Sequence, residues 1–306
     1  MIDYLMGVDG GGTGTRVRIA RTARAGGAEV AQGSGAPSGL DLGVERAWAA
    51  IQDTAAAAFD AAGLAKAPAG RIAIGLGLAG VQNRQWAAAF VAADPGYAAL
   101  VLETDTFTTL LGAHGGAPGA IVALGNGSVG KVLYPDGRRR VVGGWGFPAG
   151  DEAGGAWIGL RAINHAQQVL DGRRAPGALA EAIIAWCGGS RDAVQAWLGQ
   201  ATETDYAALA PLVLDHAGAH AGADAADPVA RAILLDAGQE AGHIARALDP
   251  DGTLPLALCG GLGDALRDYL PQGLSSRIRA PLGDAAAGAL RMVARHLDIH
   301  PIEPRR

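Results

Sequence analysis

The 306-residue sequence predicts an α/β protein of two structurally related domains. Three observations carry this reading. The length suits two ordinary hydrophobic cores better than one. A strand, a tight glycine turn and a second strand open the chain, and the same succession returns from residue 120, as an internal repeat of domains would produce. Behind the first of these meanders strands alternate with helices, which adds a parallel portion to its sheet.

The elements follow in order. Residues 4–9 form an apolar strand, and Gly10-Gly11-Gly12-Thr13-Gly14 is a turn expected to need φ > 0. Residues 15–19 alternate apolar and polar side chains as a second strand, with a shorter third at 28–33. After a Pro-Gly loop at 37–43, residues 44–62 combine helical spacing with the high propensity of alanine. Strand 71–78, helix 83–93, strand 99–103 and helix 106–114 complete the first half. Gly115-Gly116-Ala117-Pro118-Gly119 reads as a boundary, giving domains 1–117 and 118–285. The second half opens with strands 120–124, 128–134 and 139–142 around the tight turn Gly125-Asn126-Gly127. Helices are then expected at 151–170, 178–187, 191–198, 205–220 and 228–248, followed by strand 255–258, a Gly260-Gly261 turn, helix 264–269 and a terminal helix over 284–296.

Composition narrows the function. Hydrophobic residues are 49% and charged residues 18%, so the chain folds. A net charge of −5, with no basic run longer than Arg138-Arg139-Arg140, argues against a general nucleic-acid binder. Cys187 and Cys259 cannot supply a disulfide framework, a four-thiolate zinc site or an iron–sulfur cluster from one chain, and a reducing, cytoplasmic setting is expected. No secretory leader or membrane-length apolar run is seen. Lysine is confined to Lys66 and Lys131, so a phosphate-binding loop must rely on backbone N–H groups or arginine.

The most informative motif is Val8-Asp9-Gly10-Gly11-Gly12-Thr13-Gly14-Thr15. A carboxylate ends a buried strand beside a run of N–H groups with little side-chain bulk. Such a nest holds anionic oxygens while Asp9 holds a hydrated cation. Gly125 to Lys131 nearly spells a P-loop, but Val132 stands where Ser or Thr should bind magnesium, and the segment reads as strand where a P-loop opens a helix. It reads instead as a second glycine turn, with Asn126 and Ser128 as donors. Gly75-x-Gly77-x-x-Gly80 imitates a dinucleotide fingerprint, yet it starts inside a strand and chance supplies about one such match in so glycine-rich a chain. Asp105 sits where a strand meets a helix, the end at which open α/β sheets bind ligands, and would cap that helix. The loop from Gly143 through Trp145 to Asp151 and Glu152 offers an indole and paired carboxylates to a polyhydroxyl ligand. His216 and His220 lie four apart on an expected helix and read as solvated histidines, lacking a third ligand.

Together these segments resemble the sugar kinases of the actin/hexokinase/Hsp70 superfamily. Within it they are most similar to the N-acetylglucosamine kinase and bacterial glucosamine kinase group, in the larger family that includes the Bad/Bcr-type activator ATPases. Residues 7–13 resemble its first phosphate motif and 124–128 its second. Asp105 takes the place of its catalytic aspartate. Gly143-Gly144-Trp145-Gly146 with Gly150-Asp151-Glu152 resembles the sugar-binding loop, residues 259–263 the adenosine motif and 281–290 the second interdomain connector. Three departures stand out: Asn126 replaces a usual threonine, Ala153 and Gly154 follow the acids, and an asparagine common near Ser38-Gly39-Leu40-Asp41 is missing.

The resemblance implies two ribonuclease-H-like domains flanking a nucleotide/sugar cleft, with a helical insertion in the second and a terminal helix (about 286–306) returning to the first. It implies ATP-dependent phosphorylation of N-acetylglucosamine or glucosamine, at the 6-hydroxyl, with Mg2+. Asp105 would be the base. Asp9 would hold the metal through water, and Gly10, Gly11, Gly12, Thr13, Asn126, Gly127, Ser128, Gly260 and Gly261 would bind the nucleotide. Ser38, Asp41, Asp105, Gly144, Trp145, Asp151 and Glu152 would bind sugar. A homodimer is the expected assembly, with no nucleic-acid or membrane partner. The alternatives are a sugar-independent activator-type ATPase, disfavoured by the placement of the two cysteines, and a non-catalytic sugar sensor.

Overall fold

The computed structural model describes residues 1–22, 28–219 and 226–299. They form two compact units: Met1–Pro118 together with the chain from Ala280 onward, and Gly119–Arg279. The second boundary falls earlier than the sequence suggested. Leu282 donates its N–H to the Ala113 carbonyl at 3.0 Å and Arg18 pairs with Asp284, which holds this connector in the first unit.

The first unit is a five-stranded mixed sheet. Strands β1 (Tyr4–Gly10), β2 (Thr15–Arg21), β3 (Glu29–Gly35), β4 (Ile72–Leu78) and β5 (Ala99–Thr104) lie in the order β3-β2-β1-β4-β5. β1 is antiparallel to β2 and parallel to β4, and β4 is parallel to β5. Period-2 alternation assigns the faces. Met6, Val8, Val17 and Ile19 point into one core with Ile51, Ala55 and Phe59 of α1 (Val44–Ala61). α2 (Arg84–Ala92) joins that layer through Trp48, which stacks on Phe90 at 4.2 Å and donates its indole N–H to the Phe90 carbonyl at 3.1 Å.

The opposite face carries glycines where two helices must come close. Gly7 and Gly75 are register partners, and a Cβ on either would strike the backbone of the terminal helix, at Ala286 and Leu290 or at Ala289 respectively. Gly77 makes room in the same way for Thr108 of α3 (Asp105–Ala113). The apparent dinucleotide fingerprint is therefore helix–sheet packing.

The second unit has a four-stranded sheet in the order β8-β7-β6-β9, built from β6 (Gly119–Leu124), β7 (Ser128–Leu133), β8 (Arg139–Gly143) and β9 (Leu256–Cys259). β9 is parallel to β6 and the other pairs are antiparallel. Lys131 is buried in the middle of β7, as the rejection of a P-loop requires. Helices α4 (Gly155–Leu170), α5 (Ala178–Trp186), α6 (Arg191–Leu198), α7 (Glu203–Ala207), α8 (Ala210–Leu214), α9 (Pro228–Leu248) and the short α10 (Gln272–Ser275) surround a core that includes Ile158, Ile163, Leu179, Leu234 and Leu256. The last helix of the chain, α11 (Ala285–Ile299), belongs to the first unit.

Several expectations need correction. The helix expected over 151–170 starts only at Gly155, because Asp151 and Ala153 take left-handed φ values of 62° and 70°. The helix expected over 205–220 is two short helices and a turn: Pro211 starts a new helix and Gly218, at φ 92°, ends the series. The stretch 264–269 is turn followed by a 3₁₀ segment, Arg267–Tyr269. His216 bonds the Leu212 carbonyl through Nδ1 at 2.7 Å, and His220 lies outside the described residues. Neither glycine turn uses left-handed backbone, since Gly10, Gly11, Gly12, Gly14, Gly125 and Gly127 all avoid positive φ. Their glycines exist for space.

Candidate functional site

In the first unit the turn after β1, the end of β4 and the start of α3 after β5 meet at the carboxyl ends of three parallel strands, where α/β sheets place ligands. The turn is anchored from below. Gly10 accepts from the Ala79 N–H at 2.9 Å, and Gly11 accepts from Ser38 and Gly39 at 3.2 and 3.3 Å. A Cβ on Gly10 would collide with Ser38 Oγ and approach Leu78 at 2.7 Å, so packing explains that glycine. Gly12 is different: it is exposed and no atom lies within 4 Å of the place its Cβ would occupy. Its bare backbone is what a bound oxyanion needs. Gly11 and Thr13 flank it, half-buried and exposed.

Ser38 is not on this surface. It is fully buried and shares a 2.7 Å hydrogen bond with the Thr15 hydroxyl, whose single proton goes to the Ala36 carbonyl. It props the turn from beneath and cannot contact a sugar as expected. Asp41, in the 3₁₀ turn Leu40–Leu42, is exposed and stays accessible.

Register puts Arg16, Asp9, Gly77 and Glu103 in one row across β2, β1, β4 and β5. The Asp9 carboxylate lies 3.8 Å from the exposed Arg16 guanidinium, with its side chain only 22% exposed. Burial pushes its pKa up to about 6; Arg16 opposes the rise, while the charges of Asp105 and Asp284 add to it. Asp284 is itself gripped by Arg18 through two 2.9 Å bonds and caps α11 through the Ala287 N–H at 2.8 Å. Asp105 does not cap α3, contrary to expectation. Thr104 does, accepting from the Phe107 N–H at 3.2 Å, while Asp105 is the first helical residue and accepts from the Thr106 N–H at 2.7 Å through Oδ1.

The raised Asp9 pKa has a thermodynamic consequence. The unfolded chain releases this proton near pH 4 and the folded chain only near 6, so folding stability from this group falls as pH rises through that window. Asp9→Asn is therefore expected to stabilise the ligand-free protein at pH 8 by about 2 kcal/mol and to have no such effect near pH 4. Denaturant melts at both pH values check this, and no gain at pH 8 would refute the desolvated carboxylate.

In the second unit the turn after β6 is built into the start of α4. Gly125 and Asn126 accept from the Gly155 and Ala156 N–H groups at 2.8 and 2.9 Å. A Cβ on Gly127 would collide with the Asp151 carboxylate, so this glycine admits Asp151. Asp151 is buried, and its Oδ1 accepts from the Gly146 N–H at 3.1 Å. Burial holds its pKa above the usual carboxylate range against that bond, and the Glu152 charge adds to the effect. Two non-glycine residues held at positive φ on either side of Glu152, Asp151 and Ala153, mark strain of about 1–3 kcal/mol each, of the kind found where geometry serves a ligand. Ser128 is not a free donor: its buried hydroxyl donates to the Glu152 carbonyl at 2.5 Å, tying loop to turn.

The loop before Asp151 does need glycine, with φ of 75°, 71° and 90° at Gly143, Gly144 and Gly146. Its tip presents Trp145, which is 86% exposed. Phe147 packs on Tyr206 of α7 at 5.0 Å between ring centroids, and Asn126 Nδ2 reaches Thr204 Oγ1 at 3.5 Å. This brings Glu203 to the loop, where burial and the charge of Asp151 raise its pKa. Sequence reasoning missed Glu203 because it comes fifty positions after the loop with no motif around it. Gly260, at φ 85°, would clash with the Leu124 carbonyl if it carried a Cβ; that carbonyl accepts from Leu262 at 3.0 Å, while Gly261 faces open space. The second phosphate-like turn and the Gly260-Gly261 turn are thus neighbours. Among the described residues no three His, Cys, Asp or Glu side chains converge as metal ligands, and no helix is long and apolar enough to cross a membrane.

These features agree with the comparison to known proteins. The chain belongs to the BadF/BadG/BcrA/BcrD ATPase family, whose model matches residues 6–262, and the family description implies use of ATP. More particularly, it is 32% identical over 290 residues to glucosamine kinase GspK of Vibrio cholerae serotype O1, covering 94% of this chain and 95% of that one. It is 53% identical to a crystal structure from Chromobacterium violaceum provisionally named an N-acetylglucosamine kinase, with a TM-score of 0.89 over 95% of this chain and 99% of that one. The ROK hexokinase of Thermus thermophilus shares the fold, with a TM-score of 0.51 at 21% identity over 96% and 99% of the two chains.

Proposed function

We propose that this protein is an ATP-dependent kinase that phosphorylates an amino sugar, glucosamine or N-acetylglucosamine, at its 6-hydroxyl. The observation that carries the reading is the anchored turn over residues 10–14. Its exposed Gly12 faces open space next to Asp9, while Asp105 begins a helix at the end of the same sheet. An anion nest, a carboxylate for a cation and a second carboxylate for a proton are the parts that phosphoryl transfer requires. The full-length similarity to a glucosamine kinase supports the amino-sugar class.

The turn over Gly10 to Thr13 holds phosphate oxygens through the exposed N–H groups of Gly12 and Thr13, Gly11 donating its own to the Gly14 carbonyl at 3.1 Å, and the exposed Arg16 adds the side-chain charge that lysine cannot supply here. Asp9 fits Mg2+, which is commonly held by one or two carboxylates plus substrate phosphates and keeps several waters. When bound, the ion neutralises charge developing on the transferred group. Asp105 accepts the proton of the attacking hydroxyl through whichever oxygen is not engaged by Thr106. In the second unit the backbone of Asn126 and Gly127 with Gly260 and Gly261 takes part in nucleotide binding. Trp145 offers an apolar face to the sugar ring, and Asp151 and Glu152 accept from its hydroxyls. Two buried thiols suit a reducing cytoplasm.

ADP release measured against a panel of glucose, glucosamine and N-acetylglucosamine tests the proposal. Turnover is expected with an amino sugar and not without one; sugar-independent turnover would make the protein an activator-type ATPase instead. A second test uses Gly12→Val. The open space around Gly12 predicts unchanged folding stability, while ATP affinity falls at least about tenfold because a branched side chain covers the N–H groups. Calorimetric titration with ATP and with sugar separately reads this out, and equal loss for both ligands would count against the assignment.

A further inference from the structure

Glu203 stands at the loop of the second unit without a part in the chemistry above. It is the first residue of α7, and that helix is fixed on three sides. Thr202 and Asp205 form a capping box around its start, with the Asp205 carboxylate accepting from the Thr202 N–H at 2.7 Å. Asn126 Nδ2 reaches Thr204 Oγ1 at 3.5 Å, which seats the first turn of α7 beside the turn after β6. Gly155 and Gly159 of α4 lack the Cβ atoms that would press on Ala207 and collide with the Tyr206 carbonyl, so α7 packs closely against α4. The backbone of Glu203 is thus held in place from several directions. The residue itself is exposed, and its carboxylate makes no hydrogen bond or ion pair among the described residues.

Asp151 stands at the same turn. Its Oδ2 lies against Gly127, the neighbour of Asn126, where a Cβ would collide with it. The residue is only 8% exposed, and its Oδ1 accepts from the Gly146 N–H. Oδ2 has no hydrogen-bond partner among the described residues. No side-chain oxygen there is both fully buried and unpaired, so Oδ2 opens on solvent. A carboxylate sunk in the loop therefore keeps one oxygen free. Glu152 follows it, half-buried. No basic side chain pairs with Asp151, Glu152 or Glu203 among the described residues. The three act on one another instead. The charge of Glu152 adds to the burial that raises the Asp151 pKa, and the charge of Asp151 adds to the burial that raises that of Glu203. Like charges assembled without a counter-charge cost free energy that a bound cation recovers.

We propose that Glu203 determines specificity at this loop: with the free Oδ2 of Asp151 it reads the protonated 2-amino group of an amino sugar, so that the protein selects glucosamine over its N-acetyl derivative and over glucose. This rests on the kinase reading for the sugar, and on the arrangement of the three acids for the charge. An ammonium group carries three donors and no acceptor, which matches carboxylates that can only accept. Hydrogen bonds between ionised partners are roughly twice as strong as neutral ones. Acetylation removes the positive charge and leaves the nitrogen one N–H, and a hydroxyl in its place is neutral. Neither relieves the repulsion between the acids.

Glu203→Gln tests it, because glutamine keeps an acceptor for a hydroxyl and loses only the charge. The capping box and the Thr204 contact do not use the Glu203 carboxylate, so the variant should melt like the wild type. kcat/KM is measured in both proteins for glucosamine, N-acetylglucosamine and glucose, with ATP and magnesium saturating. The wild type should prefer glucosamine. The variant should lose about tenfold or more with glucosamine alone, through KM, while the two neutral sugars change by less than about threefold. Equal loss with all three sugars would overturn the amine contact, and so would a wild type that prefers N-acetylglucosamine. Calorimetric titration without nucleotide separates this result from the kinase reading, using the same sugars and magnesium chloride alone. Glucosamine binding that the variant weakens, in a protein that phosphorylates no sugar, would refute the kinase reading and leave Glu203 as the reader of the amine. Magnesium bound by the wild type and not by the variant would assign the three carboxylates to a metal and overturn the proposal.

Discussion

Asp105→Asn is expected to lower kcat about a hundredfold or more while sugar binding stays measurable. The substitution keeps the shape of the side chain and its acceptor for the Thr106 N–H, so α3 should start where it does now. Thr104, and not Asp105, caps the helix, and the Thr108 and Thr109 hydroxyls donate to the backbone carbonyl of residue 105 at 2.9 and 2.8 Å. None of these contacts needs the carboxylate charge. What the variant loses is the capacity to accept a proton from an attacking hydroxyl, together with one of the charges that raise the pKa of Asp9. The second loss should bring the Asp9 pKa down and leave or improve its hold on a cation, so KM for ATP with magnesium should not rise. A fall in kcat with KM for ATP steady or lower identifies a base; a near-normal kcat would remove Asp105 from the chemistry, and a rise in KM alone would make it a binding residue.

The order of elements and the two glycine turns could be read from the chain because strands with one covered face alternate, and because helices such as Arg191–Leu198 and Pro228–Leu248 begin at clear caps, Ser190 and Asp227. What could not be read shares a cause: it depends on what lies opposite a residue in space. Ser38 looked like a surface donor, yet the missing Cβ of Gly10 draws it under the turn. Ser128 looked like a phosphate donor, yet the Glu152 carbonyl claims it. Asp151 looked like the start of a helix because its neighbours favour one, while the Gly127 backbone and the Gly146 N–H hold it in a left-handed conformation that propensity cannot foresee. Glu203 had no local signal at all. The glycines of the first turn were read for the wrong reason: φ > 0 was expected there, and close packing at Gly10 with open space at Gly12 is what the structure contains.

The contrast between crowded and open glycines leads to the largest expected effect on folding. Gly75→Ala adds one methyl group to the middle of β4, where it would meet the Ala289 carbonyl of α11 head-on, with Val293 Cβ at 3.1 Å. Neither obstacle is a flexible side-chain end: one is helix backbone and the other a β-branched carbon. The helix is also held by the mirror contact at Gly7 and by Gly288, whose missing Cβ admits the Thr108 carbonyl of α3. Relief therefore requires α11 to move as a body away from β1, β4 and α3. Overpacking a tight core costs about 1–3 kcal/mol, and a rigid obstacle puts this site at about 3 kcal/mol or above. Gly12→Ala makes the same chemical change in open space and should stay within about 0.5 kcal/mol of the wild type. Urea unfolding should show a lower midpoint for Gly75→Ala at an unchanged slope. A displaced α11 also carries Asp284 away from Arg18 and breaks that ion pair, which adds to the loss of stability. Equal midpoints for the two alanine variants would mean that the terminal helix does not rest on these glycines, and the account of why this sheet face is so poor in side chains would fall with it.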